Sequence, residues 1–367
     1  MHINVEKEKL LQALEILARI SAKHQTLPVL QCVLFSVNTE GQLTLRATNL
    51  ELSAEVVLPG VVKSEGVHAV PGALLMQTVQ LLNDRNVTLK SEGDMLVVES
   101  GKSRTTIKTL PSEEFPAIQQ LSGNTQTLNG ALFALGIKTA AFAASQSSIK
   151  PELGSVFIHQ QKEHSLTFVA TDSFRLIEKV VPQKGVTLET SLLVPFKNAL
   201  EIARIIELVD EDPQMVVSEN QLALRFAKGV YVATRLTEAS FPDYQQIIPK
   251  EFKTNATVLR GDITHALKKT NIFTNAFLQV RATIDPKSNT VTFSSDNGEL
   301  GKTEEGISAT IEGEELALSF NQRYLNDPLG SFIDDSIVLR FAGVGRPMVM
   351  EGVAEKSLRY LVMPMNR

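Results

Sequence analysis

The stretch LTLRATNLE, residues 43–51, occurs three times in altered form in this chain of 367 residues. Its counterparts are LTFVATDSF at residues 166–174 and VTFSSDNGE at residues 291–299. Each copy alternates apolar and polar residues and then ends in turn-forming residues, a pattern typical of a half-buried strand followed by a turn. Thr48 and Thr171 lie 123 positions apart. A constant spacing of this size predicts three copies of one structural unit.

Features on either side of this stretch repeat at the same spacing. Apolar residues at helical spacing predict an opening helix in each copy, at Val5–Ile20, Leu128–Ala143 and Leu259–Asn275. A strand end that runs into a second helix recurs at Val70-Pro71, Val194-Pro195 and Phe320-Asn321. Terminating turns follow at Phe115-Pro116 and Phe241-Pro242, while the third copy stops at Met363-Pro364-Met365.

Each unit is therefore predicted to be α+β, with two helices and several antiparallel strands. We expect domains at residues 1–122, 127–249 and 255–367. Polar segments without periodicity, Gln119–Gln126 and Pro249–Ala256, are the expected linkers. The repeat alone is also compatible with three tandem domains that share an ancestor but no common purpose.

Composition and charge restrict the classes of function. The formal net charge is −5, and the thirds of the chain carry −2, −1 and −2, so no region is basic. Tight nucleic-acid binding by bulk charge is therefore excluded. The single cysteine, Cys32, allows no internal disulfide and fits a reducing compartment. The chain has no apolar run of membrane-spanning length, and its N-terminus does not resemble a signal peptide, so a cytoplasmic location is expected.

A search for catalytic chemistry returns little. Ser100–Ser103 resembles the end of a phosphate-binding loop, but Leu96 stands where that motif requires glycine. His159 and His164 flank a polar stretch and are expected to be solvated residues of a hairpin tip. Asp210–Asp212 is interpreted as a turn between a helix and a strand. We therefore expect no catalytic site, no metal and no cofactor.

Several motifs in their order along the chain resemble one family. They are Thr26–Leu30, Ala170–Asp172 with Arg175-Leu176, Phe241–Tyr244 and Val362–Met365. The chain resembles the bacterial sliding clamps, the β subunits of the replicative DNA polymerase III holoenzyme, over essentially its whole length. The resemblance implies three similar domains per chain, with helices lining an inner face and sheets outside. It also implies that two chains form a head-to-tail ring, which encircles duplex DNA without reading sequence and tethers the polymerase.

The resemblance further implies a weakly basic inner lining that contacts DNA. The matching positions are His24, Lys102, Arg104, Gln146, Lys150, Lys197, Arg204 and Tyr324. This sequence departs from the family at Ala73 and Leu74, where basic residues are common, and at Pro151-Glu152, where an aromatic pair is common. Strong phosphate contacts would oppose sliding, so a net-acidic clamp is physically reasonable.

A pocket for a short partner peptide with apolar anchors is implied between the second and third domains. Clamp-loader and polymerase peptides would bind there. Its matching positions are Leu153, Thr171, Ser173, Phe174, Arg175, Leu176, Pro242, Gln246, Ile247, Val344, Met363, Pro364 and Met365. Gln246 stands where arginine is common in the family, and Phe174 where histidine is familiar.

Ring closure requires pairing between two exposed strand edges from different chains. By resemblance, the homodimer contact has Thr105 and Ile107 on the first-domain side, and Ile272, Phe273 and Glu304 on the third-domain side. Two rival interpretations remain at this stage. One is an enzyme with its site at a domain interface, and the other is a repeat scaffold or adhesin that never closes.

Overall fold

The computed structural model describes residues 1–21, 27–147 and 149–365. Its contacts divide the chain into two compact units. Unit 1 comprises Met1–Leu135, Gln183–Thr187 and Lys197–Leu236, and unit 2 comprises Gly136–Pro182, Leu188–Phe196 and the chain from Thr237 onward.

The described residues contain six α-helices, two in each third of the chain. They are α1 (Lys7–Leu17), α2 (Gly72–Gln80), α3 (Gly130–Ala141), α4 (Phe196–Val209), α5 (Arg260–Asn271) and α6 (Gln322–Asn326). Short 3-10 turns occur at Pro28–Gln31, Tyr244–Ile247 and Asp327–Ser331. None of these helices is long and apolar enough to cross a membrane.

The strands number 25 in the described residues. The first third holds β1 (His2–Glu6), β2 (Cys32–Val37), β3 (Gln42–Thr48), β4 (Leu52–Pro59), β5 (Val61–Ser64), β6 (Gly66–Pro71), β7 (Asn86–Glu92), β8 (Met95–Ser100) and β9 (Ser103–Lys108). The middle third holds β10 (Gln126–Thr127), β11 (Ser155–His159), β12 (Ser165–Thr171), β13 (Arg175–Pro182), β14 (Leu192–Pro195), β15 (Gln214–Val217), β16 (Gln221–Arg225) and β17 (Val230–Arg235). The last third holds β18 (Thr254–Leu259), β19 (Gln279–Asp285), β20 (Thr290–Asn297), β21 (Gly301–Gly313), β22 (Leu316–Asn321), β23 (Ser336–Phe341), β24 (Met348–Gly352) and β25 (Leu358–Val362).

All three sheets are antiparallel, and each lies within one unit. Unit 1 holds a five-stranded sheet, β5-β1-β7-β8-β9, and an eight-stranded sheet, β10-β15-β16-β17-β4-β3-β2-β6. Unit 2 holds a twelve-stranded sheet, β14-β11-β12-β13-β25-β24-β23-β18-β21-β20-β19-β22. The last hairpin of one repeat thus joins the sheet begun by the repeat before it, through β17 on β4 and β25 on β13. Because these pairs join the first repeat to part of the second, and the rest of the second to the third, the three repeats form two compact units.

The α+β prediction and the threefold repeat are confirmed, with corrections at the element ends. Val5 and Glu6 belong to β1 rather than to the first helix, and Thr254–Ala256 belong to β18 rather than to a linker. In both places alternating burial, with every second side chain in the core, outweighs local helical or polar character. Cys32 is fully buried, and burial raises the pKa of its thiol to about 11.

In the part of helix α3 that belongs to unit 2, Gly136 occupies a position with no room for a side chain. A Cβ added to Gly136 would lie 2.5 Å from the ring of Phe168, which is fully buried. We therefore expect Gly136→Ala to lower the free energy of unfolding by about 1–3 kcal/mol through overpacking. Chemical denaturation of the variant and the wild type measures this loss of stability.

The matched control is Gly261→Ala in α5, where an added Cβ meets nothing within 4 Å. That change is expected to be neutral or to stabilise by up to about 1 kcal/mol, because alanine favours helix. Equal effects from the two substitutions would contradict the packing argument.

Candidate functional site

An apolar cleft of about 280 Å³ lies within unit 2, where the turn after β12 meets the end of β25. Its lining residues are Thr171, Ser173, Phe174, Arg175, Leu176, Ile247, Pro347, Leu361, Val362 and Met363. Leu176 and Leu361, paired across β13 and β25, form a buried floor together with Val349 and Tyr244. The rim is exposed, with Phe174 at 61%, Ile247 at 54% and Met363 at 38% of their full accessibility. Exposed apolar side chains around a buried apolar floor form a suitable site for apolar anchors of a partner.

The turn from Thr171 to Arg175 is fixed by its own side chains. Thr171 Oγ1 donates to the carbonyl of Arg175 at 2.6 Å and accepts from the amide of Ser173 at 3.2 Å. The Asp172 carboxylate accepts from the amides of Phe174 and Arg175, both at 3.0 Å. Ser173 sits at φ +78°, a left-handed conformation that these hydrogen bonds hold in place. The turn thereby presents Phe174 at the mouth of the cleft.

The guanidinium of Arg175 anchors this turn from beneath. It donates to Asp172 Oδ2 at 3.0 Å, to Asp327 Oδ2 at 2.6 Å and to the carbonyl of Phe142 at 2.8 Å. Its centre lies 4.5 Å from the ring centroid of Tyr324. Burial by itself would lower the pKa of Arg175, but the hydrogen bond to Asp327 and the two carboxylates outweigh burial and raise it. The charge of Arg175 is therefore paired inside the protein, and the residue holds the turn in place in addition to lining the cleft.

The opposite wall of the cleft depends on a hydrogen-bonded tyrosine. Tyr244 begins the 3-10 turn that carries Ile247, and its hydroxyl donates to Glu178 Oε2 at 2.6 Å. His159 Nε2 lies 3.1 Å from the same hydroxyl, and burial lowers the pKa of this histidine. His159 is thus a packed, bonded residue, which corrects the expectation of a solvated turn. His164 is exposed at the hairpin tip, as predicted.

Seven of the predicted pocket residues line this cleft, and six do not. Those outside it are Leu153, Pro242, Gln246, Val344, Pro364 and Met365. Sequence reasoning missed Pro347, Leu361 and Val362. Tyr360 and Val362 on either side of Leu361 are buried as well, so no alternation in β25 singles out Leu361 as a floor residue, and Pro347 reaches the cleft only through folding.

Unit 1 contains the same turn again, in a polar setting. Thr48 Oγ1 donates to the carbonyl of Leu52 at 3.2 Å and accepts from the amide of Leu50, which sits at φ +76°. A cleft of about 270 Å³ adjoins it. Where the unit 2 cleft has Leu176 and Met363, this one has Ser53 and Arg235. The repeat thus duplicates the backbone but not the apolar surface.

The predicted DNA-lining residues are distributed over the chain, and His24 lies outside the described residues. Lys102, Gln146, Lys150 and Lys197 are exposed. Three others are engaged within the protein. Arg104 pairs with Glu92 at 3.0 Å, Arg204 Nε donates to Glu201 at 2.8 Å, and Tyr324 packs under Arg175.

The predicted dimer residues require one correction. Ile107 in β9 is only 2% exposed and points into the core of unit 1, so its side chain cannot face a partner. The cause is the alternation along β9, in which Arg104, Thr106 and Lys108 are exposed and Thr105 is half-buried. On the other side, Ile272 is 66% exposed, Phe273 is half-buried and Glu304 is exposed.

Comparison with known proteins gives the family. Three domain models of the DNA polymerase III beta subunit match in succession: the N-terminal domain at residues 1–119, the central domain at 127–243 and the C-terminal domain at 245–366. The chain belongs to the DNA polymerase III beta-subunit family. Members of this sliding-clamp family are non-catalytic processivity factors of DNA replication that act with DNA and polymerases, and this chain is one of them. Membership removes the enzyme interpretation.

Individual relatives agree over the full length. The beta sliding clamp of Pseudomonas putida is 29% identical, with 100% of each chain covered, and that of Streptomyces coelicolor is 27% identical, covering 100% of this chain and 99% of the relative. The solved DNA polymerase III beta subunit of Thermotoga maritima superposes with a TM-score of 0.94 at 25% identity, covering 100% and 99%. A Pseudomonas aeruginosa sliding clamp solved bound to griselimycin has a TM-score of 0.91 at 25% identity, with both chains fully covered.

Arg175 is expected to dominate the stability of the cleft. Arg175→Ala would leave Asp172 without its cation, Asp327 with only the exposed Arg323 at 3.6 Å, and the Phe142 carbonyl without its donor, so the free energy of unfolding should fall by about 3–5 kcal/mol. Phe174→Ala, one residue earlier but exposed, should change it by about 0.5 kcal/mol or less. Urea denaturation of both variants checks the contrast. A small effect at Arg175 would show that the clustered charges are dispensable.

Proposed function

We propose that two copies of this chain close head to tail into a ring around duplex DNA, and that each copy tethers its partners through the Leu176 cleft. Each copy would contribute the three domains 1–122, 127–249 and 255–367, a division supported by the three family-model matches. The proposal is supported by two strand edges, on β9 and on the first part of β21, that no other described strand covers. Their counterparts elsewhere in the chain pair with each other, β17 with β4 and β25 with β13. A cytoplasmic location is part of the proposal.

The Leu176 cleft suits a short peptide because it combines a buried floor with an exposed rim of apolar side chains. Its polar groups are satisfied internally by the Thr171–Arg175 turn, so the binding energy must come from burial of apolar surface. Griselimycin, the compound bound to the Pseudomonas aeruginosa clamp, is a natural probe for it.

Leu176→Ala combined with Met363→Ala is expected to weaken griselimycin binding at least about 100-fold, because each lost anchor contact typically costs about 2 kcal/mol or more. Isothermal titration calorimetry measures the affinity. The matched control is Ser53→Ala with Arg235→Ala, the corresponding positions of the unit 1 cleft, which should leave the affinity unchanged. An undiminished affinity in the first variant, or no binding to the wild type, would count against the pocket.

The two free edges are defined by the hydrogen-bond pattern of their sheets. Ser100 and Ser103 pair across a two-residue turn, so Arg104, Thr106 and Lys108 direct their backbone groups away from β8. The amide of Ala309 donates to the carbonyl of Asn289, so Lys302, Glu304 and Gly306 direct theirs away from β20. Within the described residues, the part of β21 before Ala309 has no strand on that side.

The repeat supplies the register of the proposed pairing. In unit 2, β13 pairs with β25 and places Glu178 opposite Arg359, with 3.5 Å between Oε1 and Nη1. Glu304 occupies in β21 the place of Glu178 in β13. Arg104 occupies in β9 the place of Arg359 in β25, and each arginine also faces a glutamate across its own hairpin, Glu99 or Glu351. We therefore expect Arg104 of one copy to lie opposite Glu304 of the other.

Charge reversal tests this register. Arg104→Glu alone, or Glu304→Arg alone, should weaken dimerisation by about 1–2 kcal/mol, roughly 5- to 30-fold, because like charges then face each other. The combined variant should recover most of the loss. Sedimentation equilibrium over a concentration series gives the dimer constant, and Lys162→Glu, in the hairpin tip of unit 2, controls for net charge.

A combined variant that is weaker than either single one would contradict the register. A wild-type chain that remains monomeric at every concentration would instead support the open repeat scaffold.

The ring holds DNA by topology in this proposal, so contacts with phosphate need only be weak. Arg104 and Arg204 already pair with glutamates and Tyr324 packs on Arg175, so the proposed lining consists of the exposed residues Lys102, Gln146, Lys150 and Lys197. A small number of exposed cations suits a protein that must slide rather than bind tightly.

A further inference from the structure

Each repeat builds an equivalent row of four side chains across neighbouring strands. Residues in register on adjacent strands point to the same face of a sheet. The rows are Ala69–Leu34–Arg46–Glu55 in the first repeat, Leu193–Phe157–Val169–Glu178 in the second and Ser319–Arg281–Ser294–Glu304 in the third. All three rows end in a glutamate, but their middle positions differ in chemistry.

The first two rows are covered by the segment of chain that follows the last strand of their own repeat. In the first, Gln120 Nε2 donates to Glu55 Oε1 at 2.9 Å. In the second, the ring of Phe241 stacks on that of Phe157 with centroids 4.6 Å apart, and the hydroxyl of Tyr244 donates to Glu178 Oε2 at 2.6 Å. Each terminal glutamate thus receives a hydrogen bond from its covering segment.

The third row lies in a cleft of about 520 Å³ that is lined by polar and charged side chains. Arg281 and Glu304 are exposed there, as is Asp296, and Lys302 lies beside them. Among the described residues, no side chain forms a hydrogen bond or ion pair with Arg281 or Glu304. Within the described part of one copy, the side chains of Arg281, Lys302, Asp296 and Glu304 therefore face the same cleft without a hydrogen bond or an ion pair.

The covering segment of the second repeat shows what would complement this row. Arg281 occupies in the third row the position that Phe157 occupies in the second, where the ring of Phe241 stacks on it. Because Arg281 is a cation, the group that complements it at that place is a carboxylate rather than an aromatic ring. Glu304 occupies the position of Glu178, which accepts a hydrogen bond from the hydroxyl of Tyr244. Since Tyr244 follows Phe241 by three residues, a tyrosine three residues after the carboxylate would reach Glu304. A charged hydrogen bond on each side would fix the orientation of such a segment.

We propose that this third cleft binds a segment of a partner protein in which a carboxylate precedes a tyrosine by three residues. The carboxylate pairs with Arg281, and the tyrosine hydroxyl donates to Glu304. A nucleic-acid backbone does not suit the cleft, because Asp296 and Glu304 would repel phosphates next to Arg281 and Lys302. The site is separate from the Leu176 cleft and differs from it in kind, since its recognition is polar.

Two synthetic peptides test the proposal. Both carry the sequence of Phe241–Gln246 (FPDYQQ), with the first residue replaced by Glu in one and by Lys in the other. Ligand-observed NMR titration against the full chain should show the Glu peptide binding at least about 10-fold more tightly than the Lys peptide, a difference of about 1.4 kcal/mol. Arg281→Glu should abolish or reverse this preference, and Lys162→Glu, with the same change of net charge, should preserve it.

Three results would overturn the proposal: equal binding of the two peptides, a preference that survives Arg281→Glu, or no binding of either peptide up to about 10 mM. The test uses Arg281 and leaves the strand-edge residue Glu304 intact. The dimer constant of Arg281→Glu should therefore equal that of the wild type, so failure of this site and failure of the ring remain distinguishable.

Discussion

Antiparallel pairing between the last strand of one repeat and the fourth strand of the repeat before it is the constraint on which this structure depends. It occurs as β17 on β4 in unit 1 and as β25 on β13 in unit 2. Backbone hydrogen bonds fix the register, and register decides which side chains share a face. In the described chain, β9 pairs only with β8, and the first part of β21 pairs only with β20, so each lacks on its other side the strand that its counterparts have. An open edge of this kind requires a partner strand or a device that blocks it.

The clefts follow from this pairing, because each adjoins the turn that leads into the fourth strand. The turns Thr48–Leu52 and Thr171–Arg175 share their hydrogen bonds and their left-handed residue, yet their clefts differ in chemistry. In unit 2 the apolar floor is supported by Arg175, whose buried charge is balanced by two aspartates and a carbonyl. Burying a charge is costly unless it is fully paired, so this arrangement favours one conformation of the turn. Backbone geometry is thus duplicated, while side-chain substitution sets what each cleft can bind.

Charge distribution agrees with a clamp that slides. The net charge of −5 is spread evenly over the chain, and several arginines are neutralised by neighbouring carboxylates. A ring that is held by topology does not need strong phosphate contacts, whose cumulative affinity would slow movement along DNA. In the binding that we propose, affinity for partners comes instead from apolar burial in the Leu176 cleft and from paired charges in the cleft of Arg281 and Glu304.

The threefold repeat, the α+β class, the two helices of each repeat and the family resemblance could all be predicted from the amino-acid sequence. These features depend on local periodicity and on spacing along the chain, and both are visible in the order of the amino acids without any knowledge of contacts. The sequence also identified Leu176, Arg175 and Met363 as cleft residues, through resemblance. The burial of Ile107, the hydrogen bond between His159 and Tyr244, and the places of Pro347 and Leu361 in the cleft became known only from the folded chain. The folded chain also showed that Arg281 and Glu304 face one cleft. Such facts depend on register and on contacts between residues far apart in sequence, and a shift of one residue along a strand would turn every side chain to the opposite face.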